Sequence, residues 1–530
     1  LKIGLFFSEA DGNISKVLNL EKLQKSYQGD FETFIVKDFF LAPEIGQILK
    51  AIAARSFDAI ILAGDSPVNF QVNKNADFLV NEIEKLGINS NRIGIVNLKE
   101  QLAMAHPEDP AGALKKAGLL IDVAIAKVKM APDIKTREIA PYPAVAVIGI
   151  TPGSIMAAQR LLERDFTVYL IDDTREIRNF RDGEKRRKIR SIVSFVELRP
   201  NAKFYFSSKI TDVYGYAGNY TLEVSSPQGK QLITAGSIIV ANTRDREFTD
   251  HLRPLVHIDI DEDGLFEPVN NDTLQVFTLE KGIFLLADDE DSDLACIAAL
   301  GDSVAFAVTS LLESRTISYK IVVSEIYEEL CGGCGTCVKT CMFRASGIDP
   351  VKKVSIINEK RCKGCGNCVT SCPTGARDLL TYPQKYLTKA IEILASDENK
   401  NLPKILAFLC EGCGYEALDK AGLEGIPYPA SIMPLGIRCA GNIDTQLILE
   451  AFIKGFSGVV VCKCPDGHCR NIVGNSDLDR RANLFREVLR SRGIEDSRLR
   501  IVEGELQGSN NCAKAILELF KELQTVGGDR

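Results

Sequence analysis

Cys331-Gly-Gly-Cys334-Gly-Thr-Cys337-Val-Lys-Thr-Cys341 returns downstream as Cys362-Lys-Gly-Cys365-Gly-Asn-Cys368-Val-Thr-Ser-Cys372-Pro373. Both runs space their cysteines C-x2-C-x2-C-x3-C. Two residues between thiolates let one loop supply three corners of an iron–sulfide cubane. The fourth thiolate, three residues on, points away and reaches the other cluster. The spacing therefore assigns Cys331, Cys334, Cys337 and Cys372 to one 4Fe–4S cluster. Cys362, Cys365, Cys368 and Cys341 go to the other. Gly332, Gly333, Gly335, Gly364 and Gly366 suit loops that need unusual backbone angles and close approach of N–H groups to sulfur. A zinc site is the alternative, and eight cysteines in this doubled spacing argue against it. Met342 stands where proline is usual, which alters the turn after Cys341 and not the ligand count.

The remaining composition sets this segment in a large chain. Its 530 residues suffice for about three or four domains. Hydrophobic residues make up 45% and charged residues 25%, as expected of a water-soluble protein. The net charge of −7 gives no reason to expect a nucleic-acid partner, and Lys185-Arg186-Arg187-Lys188 reads as a solvated surface run. No apolar stretch is expected to reach the ~18 residues of a membrane span. The opening Leu-Lys-Ile-Gly-Leu-Phe-Phe reads as a buried strand and not as a signal peptide. None of the 16 cysteines precedes Cys296, and 14 fall between Cys331 and Cys469. In a long chain without an export signal this distribution points to metal or redox use in a reducing cytoplasm, not to disulfides. Cys296 and Cys512, outside the clusters, are expected to be plain buried thiols.

Strand and helix patterns alternate over residues 1–130. Lys2–Phe7, Phe34–Lys37, Ala59–Gly64 and Arg92–Asn97 read as strands. Glu44–Arg55, Asn75–Leu86 and Ala111–Lys127 read as helices, giving a parallel sheet covered by helices. Ala131–Pro143, with three prolines, reads as a linker. A second α/β unit follows, with strands Val145–Ile148 and Thr167–Asp172 around the helix Ser154–Arg164. Residues 190–242 turn β-rich. Gly282–Leu286 is a further strand and Ser303–Leu312 a helix. Tyr382–Leu402 is a helical connector. From Pro403 the alternation resumes, with strands Ile405–Leu409, Ile432–Ile437, Gly458–Val461 and Arg498–Val502, and helices Thr445–Lys454, Leu478–Arg492 and Ala513–Leu523.

Three cysteine groups follow the first three strands of this last domain: Cys410 and Cys413, then Cys439, then Cys462, Cys464 and Cys469. They converge on the carboxyl edge of a parallel sheet, where such folds place their sites. Cys410, Cys413, Cys439, Cys464 and Cys469 are the candidate ligands, with Cys462 the spare. Charge and spacing leave two readings open: a 2Fe–2S cluster, or a mixed zinc site that includes His468.

Ala407-Phe-Leu-Cys-Glu-Gly-Cys-Gly-Tyr, Ile437-Arg-Cys-Ala-Gly-Asn-Ile-Asp and Cys464-Pro-Asp-Gly-His-Cys-Arg-Asn, with Arg480-Arg481 and the helix after them, resemble the delta subunit of methyl-viologen-reducing hydrogenase. The resemblance implies one 2Fe–2S cluster. It also implies electron transfer between a hydrogenase or formate dehydrogenase and heterodisulfide reductase. The upstream body resembles the A-type subunit of heterodisulfide reductase, through the placement of the ferredoxin segment and through Asn97-Leu-Lys-Glu-Gln with the helix to Lys127. That family carries cluster cysteines in its N-terminal domain. Here the matching stretches, Phe6-Phe-Ser-Glu-Ala and Phe40-Leu-Ala-Pro-Glu, hold none.

The same resemblance implies a flavin-binding Rossmann unit. The strand Ala144–Ile148 leads into Gly149-Ile-Thr-Pro-Gly-Ser154, where only Gly149 of G-x-G-x-x-G stands. Thr151 replaces the glycine that lets a pyrophosphate approach, and Ser154 the third. Asp172 is the acidic residue expected about 20 positions on. Phe284-Leu-Leu-Ala-Asp288 resembles the strand end that meets a flavin ribityl chain. FAD held by Gly149, Asp172 and Asp288 is one reading, and a unit that kept its shape without FAD is the other. No second dinucleotide domain is visible.

The expected architecture is a multidomain α/β protein. It has an N-terminal α/β domain without cluster cysteines (1–130) and a degenerate Rossmann-like flavin-type domain (144–324). An inserted two-cluster ferredoxin domain (325–380) and an α/β domain of the hydrogenase delta type (403–525) follow. The B-type subunit of the quinone-interacting membrane-bound oxidoreductase is a similar fusion. The first functional reading is an electron relay of a heterodisulfide reductase-like complex, with other subunits of that complex, a hydrogenase or a formate dehydrogenase as partners. In this reading membrane association comes only through a partner. A flavoenzyme bifurcating electrons at FAD and a docking scaffold are the alternatives. No acid, base or nucleophile constellation appears, and His106, His251, His257 and His468 are scattered.

Overall fold

Ile-Gly-Leu-Phe-Phe-Ser, residues Ile3–Ser8, is buried along its whole length, as a run without alternation demands of a strand covered on both faces. It lies between Glu32–Val36 and Ala59–Gly64, and Ile93–Asn97 completes a parallel four-stranded sheet. The same strand order returns in the last domain. There Ile405–Cys410 lies between Ile432–Ile437 and Gly458–Lys463, with Leu499–Glu503 at the edge. Two domains of one topology thus bracket the ferredoxin segment. The computed structural model describes all residues except 73, 179–182, 259, 262, 269–275, 279, 288–292, 398–401, 505–509 and 528–530. It divides into two compact units, Leu1–Ile134 with Val322–Arg530, and Lys135–Ile321.

Within the first unit the N-terminal sheet meets the last domain directly. Ser66 Oγ, Asn97 Nδ2 and Gln101 Nε2 all donate to the buried carboxylate of Asp419, the latter two at 2.9 and 2.6 Å. Asp419 lies on the helix Gly414–Leu423, which begins beside Cys413. A Cβ on Gly422 of that helix would stand 1.9 Å from the Glu100 carbonyl oxygen, so only glycine admits this approach. The carboxyl edge that α/β sheets offer to ligands is here taken by a helix of the same chain. Lys127 Nζ also lies 4.1 Å from the ring centre of Tyr382, at the start of the connector whose helix is Gln384–Ala395.

The ferredoxin segment is two short antiparallel pairs, Ser324–Ile326 with Arg377–Leu379 and Ser346–Ile348 with Ser355–Ile357. Two single-turn helices, Thr336–Thr340 and Asn367–Thr370, sit between them.

The second unit holds a parallel sheet in which Ala144–Ile148 is central. It is flanked by Thr167–Ile171 and Ala202–Tyr205 on one side and by Ser237–Asn242 and Ile283–Ala287 on the other. A three-stranded antiparallel meander, Lys209–Tyr216, Asn219–Ser226 and Gly229–Ala235, precedes Ser237.

Several expectations need correction. The β-rich region does not begin at 190, because Gly183–Glu197 is helical. The proposed linker contains Thr136–Ile139, paired with Ile317–Lys320; alternating charge and Ile139 serve a strand despite the flanking prolines. The helix expected at Ser303–Leu312 begins at Leu294 and runs 19 residues, and by length and composition it could cross a membrane. Its small residues serve helix packing here: a Cβ on Gly301 would come 3.1 Å from Met156 Cβ and 3.2 Å from the Gly153 oxygen. Cys296, near its start, is exposed, whereas Cys512 is buried as expected.

Candidate metal centres

Two cavities open in the ferredoxin segment. Cys331, Cys334, Cys337 and Cys372 line the first. Cys341, Cys362, Cys365 and Cys368 line the second. Each loop thus delivers three cysteines to its own cavity and one to the other. The loops turn alike, with Gly333 and Gly364 both at φ +65°. A Cβ on Gly333 would lie 2.1 Å from the Lys353 carbonyl oxygen. Backbone N–H groups face the sulfurs: Ser355 N donates to Cys331 Sγ and Ala345 N to Cys341 Sγ, both at 3.3 Å. Such donors stabilise thiolate charge.

Burial pushes the Cys368 thiol up to about 11 and raises Cys362 and Cys365 as well, with the charge of Arg377 pulling Cys362 and Cys368 the other way. Buried thiols so disposed ionise when a metal takes the proton's place. The cavities, their thiol lining and their N–H donors fit two 4Fe–4S clusters.

In the last domain the three strand ends bring the five candidate cysteines together. Cys410 Sγ lies 3.6 Å from Cys464 Sγ. Cys464 is within hydrogen-bonding reach of Cys413 and Cys469, and Cys469 of Cys439. Cys462 points elsewhere, into the core beside Cys512. Gly414 N donates to Cys410 Sγ and Gly441 N to Cys439 Sγ, both at 3.4 Å. The thiol–thiol hydrogen bonds lower Cys410 and Cys469 and raise Cys439 and Cys464, so the group shares its protons.

Residues the motif reading passed over complete this site. Glu411, between Cys410 and Cys413, accepts from Tyr382 Oη at 2.6 Å and from Arg438 Nη1 at 2.8 Å, which ties the loop to the connector and to the neighbour of Cys439. Gly474 leaves room for sulfur, since a Cβ there would stand 2.4 Å from Cys439 Sγ. The glycine five residues after Cys469 was the available signal.

The second ferredoxin loop touches this site. A Cβ on Gly366 would meet Asn442 at 2.5 Å, and one on Gly441 would meet Asn367 Oδ1 at 1.7 Å. Asn367 Nδ2 donates to Asp477 Oδ2 at 3.1 Å. In Cys365-Gly-Asn and Cys439-Ala-Gly-Asn each glycine therefore packs against the asparagine side chain of the other loop, and Cys365 lies near enough to raise the Cys439 thiol by its charge, behind a thiol hydrogen bond and burial.

The flavin positions in the second unit are differently disposed. Gly149 turns at φ +89° as the motif requires. Thr151, fully buried, accepts from Ser154 N at 3.2 Å, and Ser154 Oγ donates to the Gly149 carbonyl at 2.7 Å. The Asp172 carboxylate accepts from Ile150 N at 2.6 Å, from Thr174 N at 2.8 Å and Oγ1 at 2.7 Å, and from Arg178 Nε at 3.0 and 3.1 Å. Arg178 also pairs with Asp173 and, at 2.6 Å, with Asp245, and its guanidinium lies 4.3 Å from the Phe248 ring centre. Asp288 lies outside the described residues. A carboxylate offers about four lone-pair sites, and these donors fill them, so none remains for a ribose hydroxyl. Side chains also fill the turn that would admit a pyrophosphate. These residues do not fit FAD.

Residues 405–527 match the family of the methyl-viologen-reducing hydrogenase delta subunit, and residues 330–376 the 4Fe–4S dicluster domain. The D-type iron–sulfur subunit of the F420-non-reducing hydrogenase of Archaeoglobus profundus is 34% identical over 99 residues, 19% of this chain and 72% of that protein. Its vhc counterpart in Methanococcus voltae is 37% identical over 97 residues, 18% of this chain and 67% of that one. The A-type subunit of the ferredoxin:CoB-CoM heterodisulfide reductase of Methanosarcina mazei is 33% identical over 229 residues, 43% of this chain. The match spans 28% of the length of that relative.

Proposed function

The chain belongs to the family of methyl-viologen-reducing hydrogenase delta subunits through its last domain, fused to a body like the A-type subunit of heterodisulfide reductase, and from that premise we propose that it is an iron–sulfur electron relay within a heterodisulfide reductase-like complex. The ferredoxin cavities hold two 4Fe–4S clusters. Four of Cys410, Cys413, Cys439, Cys464 and Cys469 hold a 2Fe–2S cluster. These groups supply one-electron chemistry when bound. The chain's own residues place the thiolates, donate N–H groups to sulfur and keep the sites close together.

The observation that carries this reading is the packing of the Cys365 loop against the Cys439 loop, glycine to asparagine on both sides and joined by the Thr370 hydroxyl to the Gly441 carbonyl. Two redox sites whose ligand loops touch are placed for direct transfer. The filled pyrophosphate turn and the bonded Asp172 favour a relay over bifurcation at a flavin. Electrons then enter and leave through other subunits, a hydrogenase or formate dehydrogenase module being one candidate donor. The seating of the helix Gly414–Leu423 on the N-terminal sheet gives that cysteine-free domain a supporting role, since it braces the strand–helix turn bearing Cys410 and Cys413.

The test is electron flux through the assembled complex with Cys334→Ala in this chain. A relay loses flux while the composition of the complex is kept. Unchanged flux would leave only a scaffold role.

A further inference from the structure

Arg377, five residues after Cys372, is 3% exposed and lines the cavity of Cys331, Cys334, Cys337 and Cys372. Its place is fixed by the pairing of Arg377–Leu379 with Ser324–Ile326. Nη2 donates to Ser355 Oγ at 2.6 Å and to Ser346 Oγ at 3.2 Å. Ser355 in turn reaches the first site: its N–H donates to Cys331 Sγ, and its hydroxyl lies 3.1 Å from Cys337 Sγ. Nε and Nη1 are buried and have no partner, and no carboxylate pairs with Arg377 among the described residues. Its charge also acts on Cys362 and Cys368 of the second cavity.

A buried guanidinium with idle donors and no counter-ion is costly unless an anion completes it. A 4Fe–4S cluster on four thiolates is such an anion, and reduction adds one more electron to it. A fixed nearby cation favours the more negative, reduced state, which raises the potential.

We propose that Arg377 is the internal counter-cation of the two-cluster module and holds the potential of its clusters above the value the same loops would give without it. The inference rests on the reading of the two cavities as 4Fe–4S sites. Arg377 is a positioning residue that acts on cluster charge and ligates no iron.

The experiment is an anaerobic redox titration, followed by electron paramagnetic resonance, of the full chain and of Arg377→Gln and Arg377→Lys. The Gln variant is expected to lower at least one 4Fe–4S midpoint by about tenfold in the reduction equilibrium, ~59 mV for one electron. The Lys variant, which keeps the charge, is expected to stay nearer the wild type. A Gln variant with full iron content and wild-type potentials overturns the proposal. Wild-type protein with far fewer than about eight iron atoms in the module overturns the cluster reading itself. Because the Gln variant could fail to assemble, a second measurement uses the wild type alone. Pulsed resonance on reduced protein carrying 15N-labelled arginine is expected to show hyperfine coupling to a guanidinium nitrogen. Its absence also overturns the proposal.

Discussion

The Thr370 hydroxyl donates to the carbonyl of Gly441 at 3.0 Å. Thr370 ends the helix that carries Cys368, and Gly441 stands two residues after Cys439. One hydrogen bond thus joins the second ferredoxin loop to the delta-type site, where a Cβ at residue 441 would stand 1.7 Å from Asn367 Oδ1.

Gly441→Ala is expected to force these loops apart. Overpacking of this kind costs about 1–3 kcal/mol. Iron content should be retained, while transfer between the delta-type site and the ferredoxin module slows in rapid-mixing reduction. Wild-type transfer in a loaded variant would show that the contact is not the path.

Docking of the N-terminal domain through Asp419 is expected to depend on pH. Burial pushes its carboxyl up to about 7, against the hydrogen bonds from Ser66 and Gln101. A carboxyl raised by folding stabilises the fold fully below its unfolded value of about 4, and that contribution is lost as pH rises through about 7. Glu100 and Asp65, also raised by burial, face the same seam, with Lys99 paired to Asp65. The thermal midpoint of the chain is expected to fall from about pH 5 to 7, and Asp419→Asn to reduce that slope. An unchanged slope in the variant would assign the effect to the other carboxyls.

Arg178→Met removes the guanidinium from Asp172, which is buried. Leaving one partner of a buried pair costs about 3–5 kcal/mol. Denaturant unfolding of the second unit is expected to shift by that order while the iron content stays constant. Flavin extracted from wild-type protein should be far below one per chain, and a stoichiometric yield would contradict the misfit of Asp172 and Thr151.

Loading the clusters should release protons. Cys362, Cys365 and Cys368 are held protonated by burial, and iron binds the thiolate. Reconstitution of apoprotein is expected to acidify an unbuffered solution and to slow as pH falls. A pH-independent rate would mean that these thiols are already ionised.

The parts of this protein legible in sequence are those written in local spacing. The doubled cysteine run needs only neighbours along the chain to define two cavities, and the structure sorts its thiols as the x3 step implies. Strand alternation likewise located most strands of the two outer domains. What stayed hidden depends on residues far apart. Asp419 meets Asn97 across 322 positions, and nothing near either announces the partner. Arg178 is only six residues beyond Asp172, yet an arginine in a loop has no pattern that says it will fill a ribose position. Arg377 reads as the first residue of a short strand, and its role depends on serines from another hairpin. Cys296 misled because a lone cysteine in an apolar run looks buried, while the helix turns it outward.

On the proposed function three redox sites share one chain, and the ligand loops of two of them pack together. The most direct test is resonance spectroscopy of the anaerobically purified, fully reduced chain, with iron and zinc counted on the same sample. About ten iron atoms are expected, eight in two 4Fe–4S clusters and two in a 2Fe–2S cluster, with the 2Fe–2S signal broadened by its reduced neighbour. Zinc in the last domain, or a 2Fe–2S signal indifferent to the redox state of the ferredoxin module, would contradict the proposed function.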